Sequence, residues 1–595
     1  MSNTFSDISV DSFVELCNEI TIPPFEHGYY SLSDIYRNAL VKAEEDKNGL
    51  ADALSLIYEI CSMTLSPSST NDVFRPYLQL ESKRSASVDD FSAEQLGFIS
   101  EVYDKIHEPL LKARLADLLW YIGKPRNRKY VDDAIESYIN IAINENTWSI
   151  YVKDCWSRAI GLARQVRATS IISKIEGFLY EAFENDYQNA SYMKLWLAET
   201  IIEHGLCENQ IGVIASVLFE CAQSCLIAKE YIQSRQYCLL AEKASRYSND
   251  TELLLKVLMV HAESYECEGD AKSSVQMVAN IFYTDALQAY RRIPVKHREQ
   301  LGVEERVQSI RRKINESGAA ALTEMGTFKS PKINISEIAK NAENHVKDKN
   351  NIELALMYFV GFSITNYSES REQALKQIKK YPLSNLFSSS YMSVDGRVIA
   401  KTPSFNFNGD DSEIVIHHKM IQNFKYAIPL HVKGCIIPAL NQILSEYRIT
   451  REFLIKVCAL SPIIPDGREE LMASALWFGF EYDFSSCIYI LAPQVENIVR
   501  VLFKSNGVNT SNVDRDGIET ECGLSTLLNN PSAENILGKD ILFELQAVFT
   551  ESVGINLRNE VAHGLLSDQE SNSQYCVYAW WMILRMIIKS LYHLK

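Results

Sequence analysis

From about Ser12 to Ser317 the apolar residues of this chain recur at helical spacing, and very little interrupts them. The run Pro109-Leu110-Leu111-Lys112-Ala113-Arg114-Leu115-Ala116-Asp117-Leu118-Leu119-Trp120 places Leu111, Leu115, Leu118 and Leu119 on one helical face. Two further helices are predicted over Ile227 to Tyr247 and Thr251 to Glu268, closed by Gly269-Asp270, and another from near Ala271 to Arg291-Arg292-Ile293-Pro294. Helix pairs joined by short turns stack into solenoid-like arrays, although no fixed repeat period is present here. With only 24 Gly and 16 Pro in 595 residues, long flexible stretches are excluded and helices are favoured.

A chain of this length exceeds what one core can organise and implies about three or four domains. The predicted fold is mostly α. It comprises an N-terminal helical solenoid-like array over 1–318, a small α+β middle section over 332–461 and a C-terminal helical bundle over 462–595. The first boundary is placed at Asn315 to Pro331, where small and polar residues dominate. In the middle section, Tyr391 to Ala400 reads as a β-hairpin turning at Asp395-Gly396. A helix begins after Pro465-Asp466-Gly467 with Glu469 and Glu470 in its first turn. Further helices are expected over Ser485 to Phe503, Leu537 to Thr550 and Ser573 to Leu594. The segment from Asn506 to Asn530 reads as a surface loop.

The formal charge of -17 argues against a protein that coats nucleic acid non-specifically and makes any basic cleft a local feature. The thirteen Cys are scattered without a CxxC pair, which predicts no structural zinc and reduced thiols in a cytosolic protein. No metal or other cofactor is expected. Asp514-Arg515-Asp516-Gly517 lacks the spacing of a calcium loop. The N-terminus lacks the pattern of a signal peptide, and Tyr575 to Leu594 is broken by Arg585 and Lys589, so it reads as a packed helix rather than a membrane span.

Arg558 and His563 bracket an Arg-x4-His run within Gly554-Ile555-Asn556-Leu557-Arg558-Asn559-Glu560-Val561-Ala562-His563-Gly564. Asn556 is the expected helix N-cap and Gly564 the expected stop. Arg558 and Asn559 would then lie in a first turn whose free N–H groups attract phosphate. His563 supplies an imidazole, the natural proton carrier near neutral pH. A second Arg-x4-His match, Arg292 to His297, contains Pro294 and is set aside as a chance occurrence. Glu496 and Arg500 share a face of an earlier helix, which fits either a supporting role or an ordinary i,i+4 salt bridge.

Arg-Asn-x-x-x-His in a C-terminal helical bundle, with a Glu four residues before a basic residue on an earlier helix, resembles the HEPN superfamily of nucleotide-binding proteins. Lys112 to Trp120, Phe282 to Pro294, Pro462 to Phe484 and Gly554 to Leu565 also look like a family of unknown function related to the endoplasmic-reticulum-membrane-associated RNA degradation protein. The absence of an evident span in the sequence keeps a membrane location from being carried over. The resemblance implies a metal-independent endoribonuclease with Arg558, His563 and Asn559 as catalytic residues, Glu496 and Arg500 in support, and a 2′,3′-cyclic phosphate product. It implies a homodimer through the C-terminal bundle and a gated, toxin-like or antiviral role, with a regulatory protein or trigger acting at the N-terminal array. The rival expectation is a non-catalytic HEPN-like nucleotide-binding or scaffold protein.

Two further features have competing readings. The basic residues Arg291, Arg292, Arg311 and Arg312 either guide RNA or form a solvated helix face. Trp580 and Trp581, with Leu584 and Ile588, pack in the core or at a two-fold interface rather than stacking on bases.

Overall fold

The computed structural model describes residues 5, 8–20, 26–47, 49–80, 83–185, 187, 192–327, 331–362, 365–393, 395–406 and 412–592. The fold is mostly α, with three two-stranded antiparallel ribbons among the described residues. The chain divides into two compact units, Met1–Ile314 and Asn315–Lys595.

The first unit is a succession of helices in which sequence neighbours pack on one another. Ile211–Ile227, Tyr231–Tyr247, Thr251–Ala271 and Gln276–Arg291 form the clearest series. Their turns close by one device. Lys229 and Asn249 take the left-handed conformation, φ 65 and 55, which lets the Glu230 and Asp250 amides reach back to the Cys225 and Ser245 carbonyls at 2.8 and 3.0 Å. Ile227 therefore ends one helix rather than starting the next. Thr251–Ala271 runs through the expected stop at Gly269-Asp270, where the Tyr283 ring packs so closely on Gly269 that no side chain would fit.

The helix Pro109–Ile122 starts with Pro at its first position and Glu108 as its cap, whose carboxylate accepts from the Leu110 amide at 3.2 Å. It is buried on nearly all sides from Leu110 to Trp120, not only on its leucine face. Its inward charges are therefore informative. Asp117 is satisfied by both Arg158 nitrogens, at 2.7 and 2.8 Å, and by the Tyr138 hydroxyl at 3.1 Å.

In the second unit, residues of the expected middle section and of the expected C-terminal bundle share one hydrophobic core, from Ala342 to Ile588. The helix Val303–Glu324 also continues through most of the expected break, because Ala319-Ala320-Ala321-Leu322 favours helix enough to offset Gly318; residues 328–330 lie outside the described ones. The hairpin forms as Ser389–Met392 against Val398–Thr402, with Gly396 at φ 82 in the turn; Val394 is outside the described residues. A second ribbon, Ser511–Val513 with Glu519–Glu521, replaces the expected surface loop. The Asp514 carbonyl receives the Gly517 amide at 3.1 Å, and the Asp514 carboxylate accepts from the Asp516 and Ile518 amides.

The last helix, Gln574–Ser590, is the spine of this unit; residues 593–595 are outside the described ones. Trp580 and Trp581 are fully buried and donate their indole N–H groups to the Leu476 and Phe359 carbonyls, at 3.0 and 3.1 Å. Leu584 and Ile588 are buried with them. These four residues are core of the single chain and have no surface left for a two-fold interface, which corrects that alternative. Arg585, which interrupts the apolar run, is buried as the ion-pair partner of Glu544. By length and composition alone, three other helical stretches among the described residues are apolar enough to cross a bilayer: Glu208–Ile227, Ser412–Glu446 and Phe484–Ser505.

Candidate functional site

The helix Phe484–Ser505 opens on Asp483, whose carboxylate accepts from the Ser486 amide at 2.9 Å. It buries Cys487, Ile488, Leu491, Val495, Ile498 and Phe503 in the core of the second unit. Glu496 and Arg500 lie beside that buried stripe. Arg500 Nη2 donates to Glu496 Oε1 at 2.7 Å and to the Cys522 carbonyl at 2.8 Å. Arg500 also pairs with Glu521, which Lys504 contacts as well, so the second ribbon is docked by these cations.

The short helix Leu557–Ala562 lies against this one. Arg558 Nε donates to Glu496 Oε2 at 3.0 Å, across 62 residues, so one carboxylate holds two guanidinium groups. Burial pushes the Glu496 carboxyl up, but the hydrogen bonds from Arg500 and Arg558 outweigh it and hold the group below its ordinary value. Arg558 Nη1 reaches Asn559 Oδ1 at 3.3 Å, and Asn559 Nδ2 donates to Asn556 Oδ1 at 2.9 Å. Arg558 is 34% exposed, and its Nη2 carries no hydrogen bond among the described residues. A small cavity of about 170 Å³ is lined by Arg558, Glu496, Ala492, Pro493, Val561 and Ala562.

Two expectations about this helix change. Asn556 precedes it in the left-handed conformation, φ 59 and ψ 30, and makes no side-chain cap; its side chain bonds Asn559 instead. The helix has six residues, and the Asn559 and Glu560 amides are taken by the Asn556 carbonyl at 3.0 and 3.1 Å. Two of the first-turn amides expected to meet phosphate are therefore already bonded within the chain. Gly564 ends the helix as expected, at φ 64 with its amide on the Val561 carbonyl at 3.1 Å.

His563 sits at the C-cap with its side chain exposed. At about 100° per residue, five residues turn its side chain roughly 140° away from that of Arg558. It does not line the Arg558 cavity. One chain thus brings together Arg558, Asn559, Glu496 and Arg500, and presents His563 to solvent beside them.

The sequence gives no sign of what anchors the motif from behind. Lys425, on the helix Ser412–His431, donates its Nζ to the Gly554 carbonyl at 3.0 Å, across 129 residues. Burial lowers the Lys425 pKa. Gly554 is buried, and a methyl there would overlap the Ala547 carbonyl. The Ile555 amide donates to that same carbonyl at 3.0 Å. His417 faces Glu551 at 3.9 Å and holds its carboxyl below the ordinary range. The loop leading into Arg558 is therefore tied at both ends, and only position 554 carries a local signal, its glycine.

The four arginines read as either an RNA guide or a solvated helix face lie elsewhere, in the first unit, and are not equivalent. Arg292 is spent on Glu242, with Nη2 at 2.6 and 2.7 Å from its two oxygens. The neighbouring cations Arg306 and Lys313 pair with Glu263, Glu266 and Asp270 of the helix Thr251–Ala271. Part of the basic run is thus the other half of an acidic helix face, and Arg292 is not free to meet RNA. Arg291, Arg311 and Arg312 are exposed and have no acidic partner within 4.0 Å among the described residues. Among the described residues, no three His, Cys, Asp or Glu side chains are grouped to hold a metal ion.

A family described as a domain of unknown function (DUF7380) matches residues 4–175, within the first unit. No curated protein and no solved structure matches the chain.

Proposed function

We propose that the chain is a metal-independent endoribonuclease of the HEPN type, with its active centre at Arg558, Asn559 and His563. The observation that supports this most is the shared carboxylate of Glu496. It joins the Glu496–Arg500 pair to the Arg-Asn-x-x-x-His run, two features singled out separately by the HEPN resemblance. In the proposed chemistry, His563 takes the proton of a ribose 2′-OH. The 2′-oxygen attacks the adjacent phosphorus, and the 5′-oxygen leaves with a proton, giving a 2′,3′-cyclic phosphate. Arg558, through its free Nη2, meets the charge that builds on the phosphate. Asn559 and Glu496 fix the guanidinium plane.

Because Arg558 and His563 of one chain diverge, the reading requires two copies to complete one cleft. The arginine of one copy then serves with the histidine of another, and a second His563 is the proton donor to the leaving oxygen. Such an enzyme would act in the cytoplasm as a gated toxin-like or defence effector, with the first unit as the gate. The test is cleavage of labelled RNA by the full chain beside His563→Ala and Arg558→Ala. A cyclic-phosphate product lost in both variants supports the reading. Cleavage persisting in both contradicts it. The non-catalytic alternative draws on the same ion pair, which already satisfies part of Arg558. It predicts nucleotide binding without turnover.

A further inference from the structure

The first unit contains a cavity of about 390 Å³ whose wall includes Arg114. Arg114 comes from the middle of the helix Pro109–Ile122 and is 0% exposed. Its Nη1 donates to the Met63 carbonyl at 3.1 Å; its Nε and Nη2 are closed off from solvent and make no well-formed hydrogen bond, although the Tyr29 hydroxyl is near enough to favour the charge, and no carboxylate lies within 4.0 Å among the described residues. The neighbouring Asp117 is already used by Arg158 and Tyr138. What holds the guanidinium in place is aromatic: its carbon lies 3.7 Å from the Tyr29 ring centre and 4.8 Å from that of Phe74.

A buried cation with two idle donors is costly, since each unmade hydrogen bond and the unpaired charge weigh against folding. Those two adjacent N–H groups are also the half of the guanidinium fork that matches a carboxylate or phosphate edge. The rest of the cavity suits a ring. Tyr30 and Tyr77 stand at its rim with centroids 6.1 Å apart, 55% and 65% exposed, so both retain open ring surface. Tyr151 also lines it and packs on Gly28, which has φ 57 and no room for a Cβ under that ring. Arg37 adds a second cation, while Asp34 and Asp154 limit how many negative charges fit.

We propose that this cavity binds a small aromatic oxyanion of about mononucleotide size, its anionic group accepting from Arg114 Nε and Nη2 and its ring lying against Tyr30 and Tyr77. The volume is at the lower end for small-molecule sites, which excludes polymers from the interior. The oxyanion can be a phosphate or a carboxylate, and the experiment separates them.

Titration calorimetry on the full chain, without RNA, would use the four nucleoside 5′-monophosphates, adenosine, inorganic phosphate, and an aromatic carboxylate (indole-3-acetate). The expected result is saturable binding by a nucleoside monophosphate or by the aromatic carboxylate, whichever oxyanion the site takes. Adenosine and phosphate alone should bind at least about tenfold more weakly. Arg114→Lys keeps the charge but loses the fork, and Tyr77→Ala alters only the exposed rim and should fold. Each should weaken binding by about tenfold or more. Overturning results are no saturable heat from any ring-bearing anion up to ~1 mM, or undiminished affinity in Tyr77→Ala. The readout is binding in the first unit, so it stands or falls separately from RNA cleavage.

Discussion

Glu496 Oε2 accepts the Arg558 Nε hydrogen at 3.0 Å while Glu496 Oε1 accepts from Arg500 Nη2 at 2.7 Å. The carboxylate is 17% exposed and acts as a bracket that sets where the motif arginine points. Glu496→Gln keeps the shape and removes the charge. It is expected to leave the fold intact at a cost of about 1–2 kcal/mol, measured by urea denaturation. RNA cleavage should fall roughly 10–100-fold, since a guanidinium about 1 Å out of place loses that much. Unchanged cleavage rates would mean that Arg558 needs no such bracket.

The packing of Gly479 against Trp580 gives a test of the core. A methyl at position 479 would overlap the indole, whose N–H is committed to the Leu476 carbonyl. Gly479→Ala should therefore cost about 1–3 kcal/mol or more, because the overpacked indole must leave its bond. A denaturation midpoint equal to that of the parent chain would show that the helix Glu469–Phe480 can shift freely.

Trp581→Ala separates core from interface. The side chain is fully buried, so truncation should destabilise the chain by roughly 3–5 kcal/mol. The folded fraction should keep the parent's oligomeric state in light scattering. A well-folded variant that dissociates would return this residue to an interface.

Stability should fall on mild acidification. Burial first, then nearby Arg585 for His431 and Arg292 for His261, lowers each imidazole from 6.5 to about 4. Unfolded, these groups take a proton near pH 6.5; folded, they resist until about pH 4. The unfolded state thus binds more protons across that window, and stability is lost as pH falls through it, by about 2 kcal/mol per histidine between pH 7 and 5. Denaturation at the two pH values checks this, and His431→Gln should flatten the slope for the second unit. An equal slope in that variant would assign the effect to other groups.

Local signals carried many of the helices and the hairpin of Ser389–Met392 with Val398–Thr402, but not the two-residue strands Thr64–Leu65 and Phe74–Arg75. The leucine spacing in Pro109–Ile122 and the Asp395-Gly396 turn are written within a few residues of where they act. The second ribbon was missed although Asp514 to Gly517 ends in the same Asp-Gly pair, because its strands are short and polar and lack alternation. The candidate site was legible as residue types but not as geometry. Nothing in the sequence tells that Glu496 serves Arg558, that Lys425 ties the Gly554 carbonyl, or that Arg292 is consumed by Glu242. Those pairings join positions 50 to 129 residues apart and depend on which helices pack together. Trp580 and Trp581 read equally as core or interface until the partners of their indole N–H groups are known.

Whether Arg558 and His563 cleave RNA is decided at the product ends. The most direct measurement incubates the full chain with end-labelled RNA, with and without EDTA, beside Arg558→Ala and His563→Ala, and identifies the product ends. The expected result is 2′,3′-cyclic phosphate ends from the parent chain, unaffected by EDTA, and loss of cleavage by about 100-fold or more in each folded variant. Cleavage that survives both substitutions, or that EDTA abolishes, would contradict it.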